Sequence, residues 1–230
     1  MTRVLRPELL DSLPADNPAA KRSRADLRRV NGWMGHRRIL LRALEAAIPT
    51  GPNSMVELGA GDGTLTLSIA TRLHRQWHRV ELTLLDRQPV ITEGTRNHFR
   101  RIGWTARVVE SDVFDWFASG QPPVDVIMTN LFLHHFEASE IRRLFQAIAN
   151  HCRCFIALEP GRNQMARLGA ECLGLIGCNY VTRHDARVSV QAGFCGRELT
   201  ALWPISAKWR ISERRAGLFS HLFIAQSISA

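Results

Sequence analysis

The chain has 230 residues, of which 45% are hydrophobic, and this is the size and apolar content of one sizeable globular domain. No stretch approaches the roughly 20 apolar residues that cross a bilayer. The first residues, which include Arg3, Arg6, Glu8 and Asp11, lack the apolar segment of a signal peptide. The sequence therefore predicts a cytoplasmic protein with no membrane span.

The net charge of +9 comes almost wholly from arginine, because Lys21 and Lys208 are the only lysines. Such a charge suits an anionic partner such as RNA. The arginines are spread along the chain, however, and are not gathered in one basic block with interleaved aromatic residues. A coding bias toward arginine would give the same charge, so a nucleic-acid partner stays open but is not favoured.

The five cysteines are odd in number and show no C-x-x-C spacing. Neither a disulfide framework nor a zinc site is therefore indicated. We expect buried or incidental thiols.

Residues 1–50 are expected to form a helical arm or cap. Residues 1–24 contain three prolines among scattered charges, which indicates a loose arm or a short helix. Over residues 25–47, apolar side chains recur at helical spacing that is interrupted at Gly32 and Gly35. This pattern predicts two helices on either side of the break.

Residues 51–160 alternate short apolar runs with helical segments. The predicted strands are Met55–Leu58, Val80–Leu85, Ala106–Glu110, Val124–Thr129 and Cys154–Leu158, and the predicted helices are Leu65–His74, Val90–Arg101 and Ala138–His151. Repeated strand–helix–strand units produce a parallel sheet with helices on both faces. The predicted fold class is therefore α/β, with a doubly wound sheet.

Residues 161–230 differ from this pattern. Lys208–Glu213 and Leu218–Ser227 flank Arg214–Gly217 and predict two strands joined by a tight connection. This antiparallel hairpin would complete a mostly parallel seven-stranded sheet, after a helical insert on the substrate side. The three parts of the chain are predicted to make one compact domain.

The first candidate site lies between the first predicted strand and its following helix. Glu57 precedes Gly59, Ala60, Gly61 and Gly63 there, and glycines permit a tight turn and a close approach of a ligand to the backbone. A nicotinamide dinucleotide fingerprint needs glycines at relative positions one, three and six. Here the third glycine comes one residue early, giving E-x-G-x-G-x-G, and a purely structural turn is the alternative.

Two acidic residues follow the next two strands. Asp86 ends the second strand, and Asp112 follows the third strand with Val113 after it. Ligands bind beyond the carboxyl ends of the strands in an open parallel sheet. A carboxylate at Asp86 can accept hydrogen bonds from both hydroxyls of a ribose, whereas the alternative role for either acid is a helix cap.

The segment after the fourth strand, residues 130–136, has the sequence NLFLHHF. With the three segments above, it resembles the motifs of class I (Rossmann-like) S-adenosylmethionine-dependent methyltransferases, in order and in spacing. NLFLHHF is similar to the segment of bacterial small-molecule methyltransferases of polyketide and quinone-type pathways. Residues 26–33 and 182–190 share that second likeness more weakly.

The resemblance implies S-adenosylmethionine as the cofactor and assigns a place to each motif. Asp86 would bind the ribose, Asp112 and Val113 would lie at the adenine, and the backbone of Asn130 would face the methionine end. The residues implied to bind the cofactor are Glu57, Gly59, Ala60, Gly61, Gly63, Asp86, Arg87, Asp112, Val113, Asn130 and Leu131.

Methyl transfer from a sulfonium is an in-line displacement, so the enzyme mainly aligns the acceptor with the methyl group. A phenol or enol acceptor also gains from losing its proton, and histidine titrates in the useful range. The candidate bases, in order, are His135, His134 and His184. No set of oxygen ligands for a metal-assisted mechanism is visible, so no metal is predicted.

The predicted function is methyl transfer to a small acceptor, such as a phenolic, enolic or quinone-like oxygen or carbon. Arg183 or Arg187 would hold the anion of that acceptor. An RNA or protein methyltransferase is one alternative, although the Asn-Pro-Pro turn of adenine-N6 enzymes is absent after the fourth strand. A catalytically inactive S-adenosylmethionine-binding regulatory protein is the other alternative, and the oligomeric state does not follow from the sequence.

Overall fold

The alternation of strands and helices produces one seven-stranded sheet. The computed structural model describes residues 2–88 and 90–228. Its strands are β1 (Ser54–Leu58), β2 (Glu81–Asp86), β3 (Thr105–Glu110), β4 (Val124–Asn130), β5 (Cys152–Pro160), β6 (Trp209–Ala216) and β7 (Ser220–Ser227). The order across the sheet is β3-β2-β1-β4-β5-β7-β6. Strands β1 to β5 pair in parallel, and β7 pairs antiparallel with β5 and β6, which confirms the predicted fold class.

Nine α-helices lie among the described residues and flank or cap this sheet. They are α1 (Leu9–Ser12), α2 (Pro18–Trp33), α3 (His36–Ala47), α4 (Thr64–Leu73), α5 (Glu93–Arg101), α6 (Val113–Ala118), α7 (Ala138–His151), α8 (Gln164–Cys172) and α9 (Tyr180–Ala192). Of the helices described, none is long and apolar enough to cross a membrane.

Helix α2 begins well before the position that apolar spacing predicted. The side chain of Asn17 accepts a hydrogen bond of 2.8 Å from the backbone N–H of Ala19, and Pro18 occupies the first helical position. An asparagine cap followed by proline is a strong start signal, so residues 18–24 belong to α2. Of the two forms predicted for residues 1–24, the structure has the short helix, α1. The predicted break is confirmed, because Gly35 has a positive φ of 72° between α2 and α3.

Each face of the sheet is covered by its own layer of helices. Apolar side chains of α3, α4 and α5 pack on one face, including Leu44, Ile69 and Phe99. On the other face α6 and α7 contribute the buried Trp116 and Phe145. The central strands are buried on both faces and therefore read as continuous apolar runs.

The C-terminal hairpin is longer than predicted on its first strand. Arg214 to Ala216, which were expected in the connection, continue β6 and pair with β7, where Ala216 lies opposite Ser220. The turn consists of the three residues Gly217 to Phe219, and Gly217 has a φ of 68°. This positive φ explains why the chain reverses at the glycine.

The buried carboxylate of Glu213 joins the two strands of this hairpin to the loop before it. Nε2 of His221 lies 2.8 Å from Oε1 of Glu213, and the two side chains are 2% and 0% exposed. The Glu213 carboxylate also accepts hydrogen bonds from the backbone N–H groups of Leu199 and Thr200. Burial alone would raise the pKa of Glu213, but the hydrogen bonds from His221 and Thr200 lower it below its ordinary value.

Glu213→Gln is expected to lower the free energy of unfolding by about 2 kcal/mol at neutral pH, because it weakens the hydrogen bonds that the buried carboxylate accepts. A glutamate whose pKa is lowered by folding stabilises the protein above its unfolded-state pKa, and this contribution disappears as the pH falls through the folded-state pKa. Urea unfolding should therefore show a difference between wild type and variant that shrinks toward acid pH. The control is Glu81→Gln at an exposed strand position, and equal losses in both variants would contradict the assignment.

Candidate active site

The carboxyl ends of the parallel strands open into one large cavity. Its volume is about 1510 Å³, which exceeds the roughly 300–1,000 Å³ of a pocket for one small ligand. Nearly all the residues predicted to form the site line it: Glu57, Gly59, Ala60, Gly61, Asp86, Arg87, Asp112, Val113, Asn130, Leu131, His134 and His135. Within the described chain, Gly63 and His184 are not among the lining residues.

The glycine loop between β1 and α4 presents bare backbone to the cavity. Gly59, Gly61 and Gly63 have φ values of 74°, 55° and 69°, a region that disfavours residues with a side chain. A Cβ atom at Gly59 would lie 2.5 Å from the ring of Phe132, whereas one at Gly61 would meet nothing within 4 Å. Gly61 therefore faces open space, whereas Gly63 packs against neighbouring side chains at the start of α4.

Asp86, at the end of β2, holds the glycine loop in place. Its Oδ2 accepts a hydrogen bond of 2.8 Å from the backbone N–H of Gly61, and its Oδ1 accepts one of 2.8 Å from Gln88. An ionised carboxylate has about four acceptor sites. Each oxygen of Asp86 therefore keeps acceptor capacity for a ligand.

Asp112 has the capping role that the sequence left open. Its Oδ1 accepts a hydrogen bond of 2.8 Å from the backbone N–H of Phe114 at the start of α6, a helix that sequence patterns missed. In the part of the chain that the structure covers, its Oδ2 has no hydrogen-bond partner. Since Asp112 and the following Val113 both line the cavity, capping and ligand binding are compatible.

Two polar side chains of the cavity wall, Glu57 and Asn130, each have a buried oxygen. Burial raises the pKa of Glu57 to about 8, although Thr66 opposes the shift, and its Oε2 makes no hydrogen bond of ordinary length. Asn130 lies beside His36, and its Oδ1 also lacks such a bond. Buried polar atoms without partners are costly, so both positions suit a polar ligand.

The turn after β4 is held by a carboxylate at the end of β5. Oε1 of Glu159 accepts hydrogen bonds from the backbone N–H groups of Phe132 and Leu133, at 3.1 and 2.9 Å. Leu131, which precedes them, has a φ of 55° that a leucine rarely adopts. Sequence reasoning missed Glu159, although the same rule about strand ends that found Asp86 would have found it.

His134 is buried between two carboxylates. Its Nδ1 lies 2.9 Å from Oε2 of Glu159, and its Nε2 lies 3.3 Å from Oε1 of Glu8. Burial alone would lower the pKa of His134, but its hydrogen bonds to Glu159 and Glu8 raise it to about 9. Both ring nitrogens are occupied, so His134 has no free nitrogen with which to act as a base.

His135 is placed differently from its neighbour. Its side chain is 31% exposed and lines the cavity, with Nδ1 lying 3.4 Å from Oδ2 of Asp11. The two imidazole rings are 4.2 Å apart between centroids. Burial and the adjacent positive charge of His134 lower the pKa of His135, which favours its neutral form.

The third candidate base and the proposed anion-binding arginines lie elsewhere. His184 is exposed on α9, where its Nδ1 contacts Asp185 at 2.9 Å. Arg187 pairs with Glu171, and neither Arg183 nor Arg187 lines the cavity. Besides the predicted Arg87, arginines that no local sequence signal singled out line it instead: Arg6, Arg24, Arg28, Arg37 and Arg38.

Glu8 completes the histidine cluster from the N-terminal segment. Burial would raise its pKa, but the hydrogen bond and charge of His134 lower it to about 2, and its Oε1 also accepts a hydrogen bond from Ser189. Polar atoms of Glu8, His134 and His135 lie within 4.8 Å of one another, a spacing that a metal ion could use. The contacts present are those of an ion-pair network, in which Glu8 and His134 already bind each other.

Comparison with known proteins gives a family match for the central part of the chain. Residues 55–154 match the family model of a methyltransferase domain. No curated protein matches the chain.

Several solved structures share the fold. The plantazolicin methyltransferase BpumL, in complex with a triazolic desmethylPZN analog and SAH, is 13% identical with a TM-score of 0.69, and the match covers 95% of each chain. BpumL in complex with SAH is 14% identical with a TM-score of 0.65, covering 92% of this chain and 91% of that one. An O-methyltransferase family protein from Burkholderia thailandensis is 18% identical with a TM-score of 0.54, covering 93% and 64%.

The family match spans the strands, the glycine loop and both acidic strand ends that build the cavity. Residues 55–154 thus match a methyltransferase domain, and solved structures of the same fold include methyltransferases in complex with SAH.

Proposed function

We propose that the chain transfers a methyl group from S-adenosylmethionine to a small acidic acceptor, such as a phenolic, enolic or quinone-like oxygen or carbon. One observation carries the proposal: the glycine loop and His135 line the same cavity. The cavity's volume of about 1510 Å³ leaves room for a second small molecule beside the cofactor.

The positions of these residues on the cavity wall support the binding roles that the family resemblance implies. Asp86 would accept hydrogen bonds from the ribose hydroxyls, with Arg87 beside it at the cavity wall. Asp112 would use its second oxygen at the adenine, next to Val113. Asn130 and its neighbour Leu131 would lie at the methionine end.

The residues present suit such a cofactor. Gly61 offers backbone that faces open space, and Glu57 and Asn130 each have a buried oxygen that lacks a hydrogen bond. A cationic ligand near Glu57 would favour its ionised form, which burial otherwise disfavours. The donor and acceptor chemistry of these groups therefore fits a ligand with amino, hydroxyl and sulfonium groups.

The chain's part in catalysis is to align the acceptor and to remove its proton. When bound, S-adenosylmethionine supplies an electrophilic methyl group. Phe132 and Phe136 form an edge-to-face aromatic pair on the cavity wall, against which a flat acceptor can pack. His135 takes the acceptor's proton.

A direct assay distinguishes small acceptors from RNA and protein acceptors. Transfer of labelled methyl groups should be measured with phenolic and quinoid compounds, total RNA and proteins as acceptors. The arginines of the cavity wall would attract RNA. Methyl labelling of RNA should then fall steeply as the salt concentration rises. Labelling of RNA alone would overturn the proposal, and binding of the cofactor without transfer to any class would favour the inactive regulatory protein.

Asp86→Asn is expected to weaken S-adenosylmethionine binding by about 1.5 to 3 kcal/mol, because the charge-assisted hydrogen bonds to the ribose are lost. The amide also weakens the contact with the backbone of Gly61. Calorimetric titration measures the effect, with Asp115→Asn, an exposed acid outside the cavity wall, as the matched control. Equal affinities in two folded variants would rule out the ribose role.

His135→Ala should leave cofactor affinity nearly unchanged and lower turnover by about 100-fold, because a general base commonly contributes that much. His184→Ala is the control, since His184 is exposed on α9 and is absent from the described cavity wall. The rates are compared with the first acceptor that the labelling assay yields. If the His135 variant keeps the wild-type rate, no base at this position is needed.

A further inference from the structure

Three side chains of the N-terminal segment, residues 2–12, converge on the histidine turn. Arg3 donates hydrogen bonds to the backbone carbonyls of His134 and Phe136, at 3.2 and 2.8 Å. Glu8 pairs with the ring of His134, and Asp11 lies beside the ring of His135. The segment thus touches the backbone and both imidazoles of the proposed catalytic turn.

Helix α9 fixes the segment in this position. The carboxylate of Asp185 accepts hydrogen bonds from the backbone N–H groups of Leu9 and Leu10, at 2.8 and 3.0 Å. Upstream, Nε of Arg3 donates a hydrogen bond of 2.7 Å to the carbonyl of Ala192. The backbone that carries Asp11 is therefore anchored at the two residues before it, Leu9 and Leu10.

We propose that Asp11 is a positioning residue for His135, so that the N-terminal segment completes the catalytic apparatus. The inference rests on the proposed function and deepens it. A carboxylate beside Nδ1 favours the tautomer that carries its proton on Nδ1, and this leaves the lone pair of Nε2 free to accept the acceptor's proton.

The two histidines then have separate roles. His134 has carboxylates on both ring nitrogens, from Glu8 and Glu159, and acts as a fixed cation. His135 has Asp11 on one side only and shares the cavity with the substrate. The charged groups that act on His135 are His134, Glu8, Asp11 and Glu159, and of these Asp11 alone contacts Nδ1.

The contact between Asp11 and the ring of His135 is long. The distance of 3.4 Å is longer than an ordinary hydrogen bond, and the Asp11 side chain is 65% exposed. Catalytic hydrogen bonds are often long before the substrate binds and shorten in the complex. The exposure of Asp11 also means that its replacement should leave the fold intact.

Asp11→Asn is the test, and Asp16→Asn is its matched control. Asp16 is an exposed acid of the same region, and no hydrogen bond or ion pair of its side chain occurs in the described structure. Nitrogen-15 NMR of the histidine side chains reports the tautomer without any acceptor, and the spectrum of His135→Ala identifies the signals of His135. We expect the Nδ1-protonated form to predominate in wild type and in Asp16→Asn, and to lose its predominance in Asp11→Asn.

The same variants are then assayed for methyl transfer. Asp11→Asn should lower turnover by about 10-fold or more with unchanged cofactor affinity, and Asp11→Glu should restore part of the rate. An unchanged His135 tautomer in Asp11→Asn would overturn the inference, as would a stoichiometric metal in the purified protein, since His135 would then be a ligand. If Asp11→Asn changes the His135 tautomer but the wild-type protein methylates no acceptor, the proposed function is refuted. The positioning contact between Asp11 and His135 then still stands.

Discussion

The carboxylate of Glu159 accepts hydrogen bonds from three successive backbone N–H groups, those of Phe132, Leu133 and His134, and from the ring of His134. It is fully buried at the carboxyl end of β5, where a charge without such partners would be very unfavourable. These bonds join β5 to the segment after β4 and hold Leu131 in its positive-φ conformation. The shape of the turn that carries both histidines therefore depends on this one side chain.

The fixed turn explains how adjacent histidines come to differ. Glu159 directs the Nδ1 edge of His134 inward, which leaves Nε2 facing Glu8. The next ring points into the cavity, where the neighbouring positive charge favours its neutral form. Environments that shift the pKa values of two neighbouring groups in opposite directions are typical of acid–base pairs in enzymes. The arrangement supports a role for His135 in proton removal and for His134 as a stationary charge.

Sequence patterns predicted the sheet and most of the residues that line the cavity at its strand ends, because both signals are local. Buried strands are continuous apolar runs, and the glycine loop and Asp86 follow strand ends directly, so spacing alone locates them. Glu8 and Asp11 reach the turn across more than a hundred residues, and their contacts leave no mark in nearby sequence. The early start of α2 was missed because apolar periodicity outweighed the capping signal of Asn17 and Pro18. His184 was misplaced for the opposite reason, since a motif likeness said nothing about the face of α9 on which it lies.

In the proposed complex, the cavity at the strand ends holds the methyl donor next to His135. A crystal structure of the full chain with S-adenosylhomocysteine tests it most directly. We expect the ribose hydroxyls on Asp86, the adenine beside Asp112 and Val113, and the sulfur facing the same open space as the His135 ring. Density for the ligand outside this cavity, or inside it with the sulfur turned away from His135, would contradict the account.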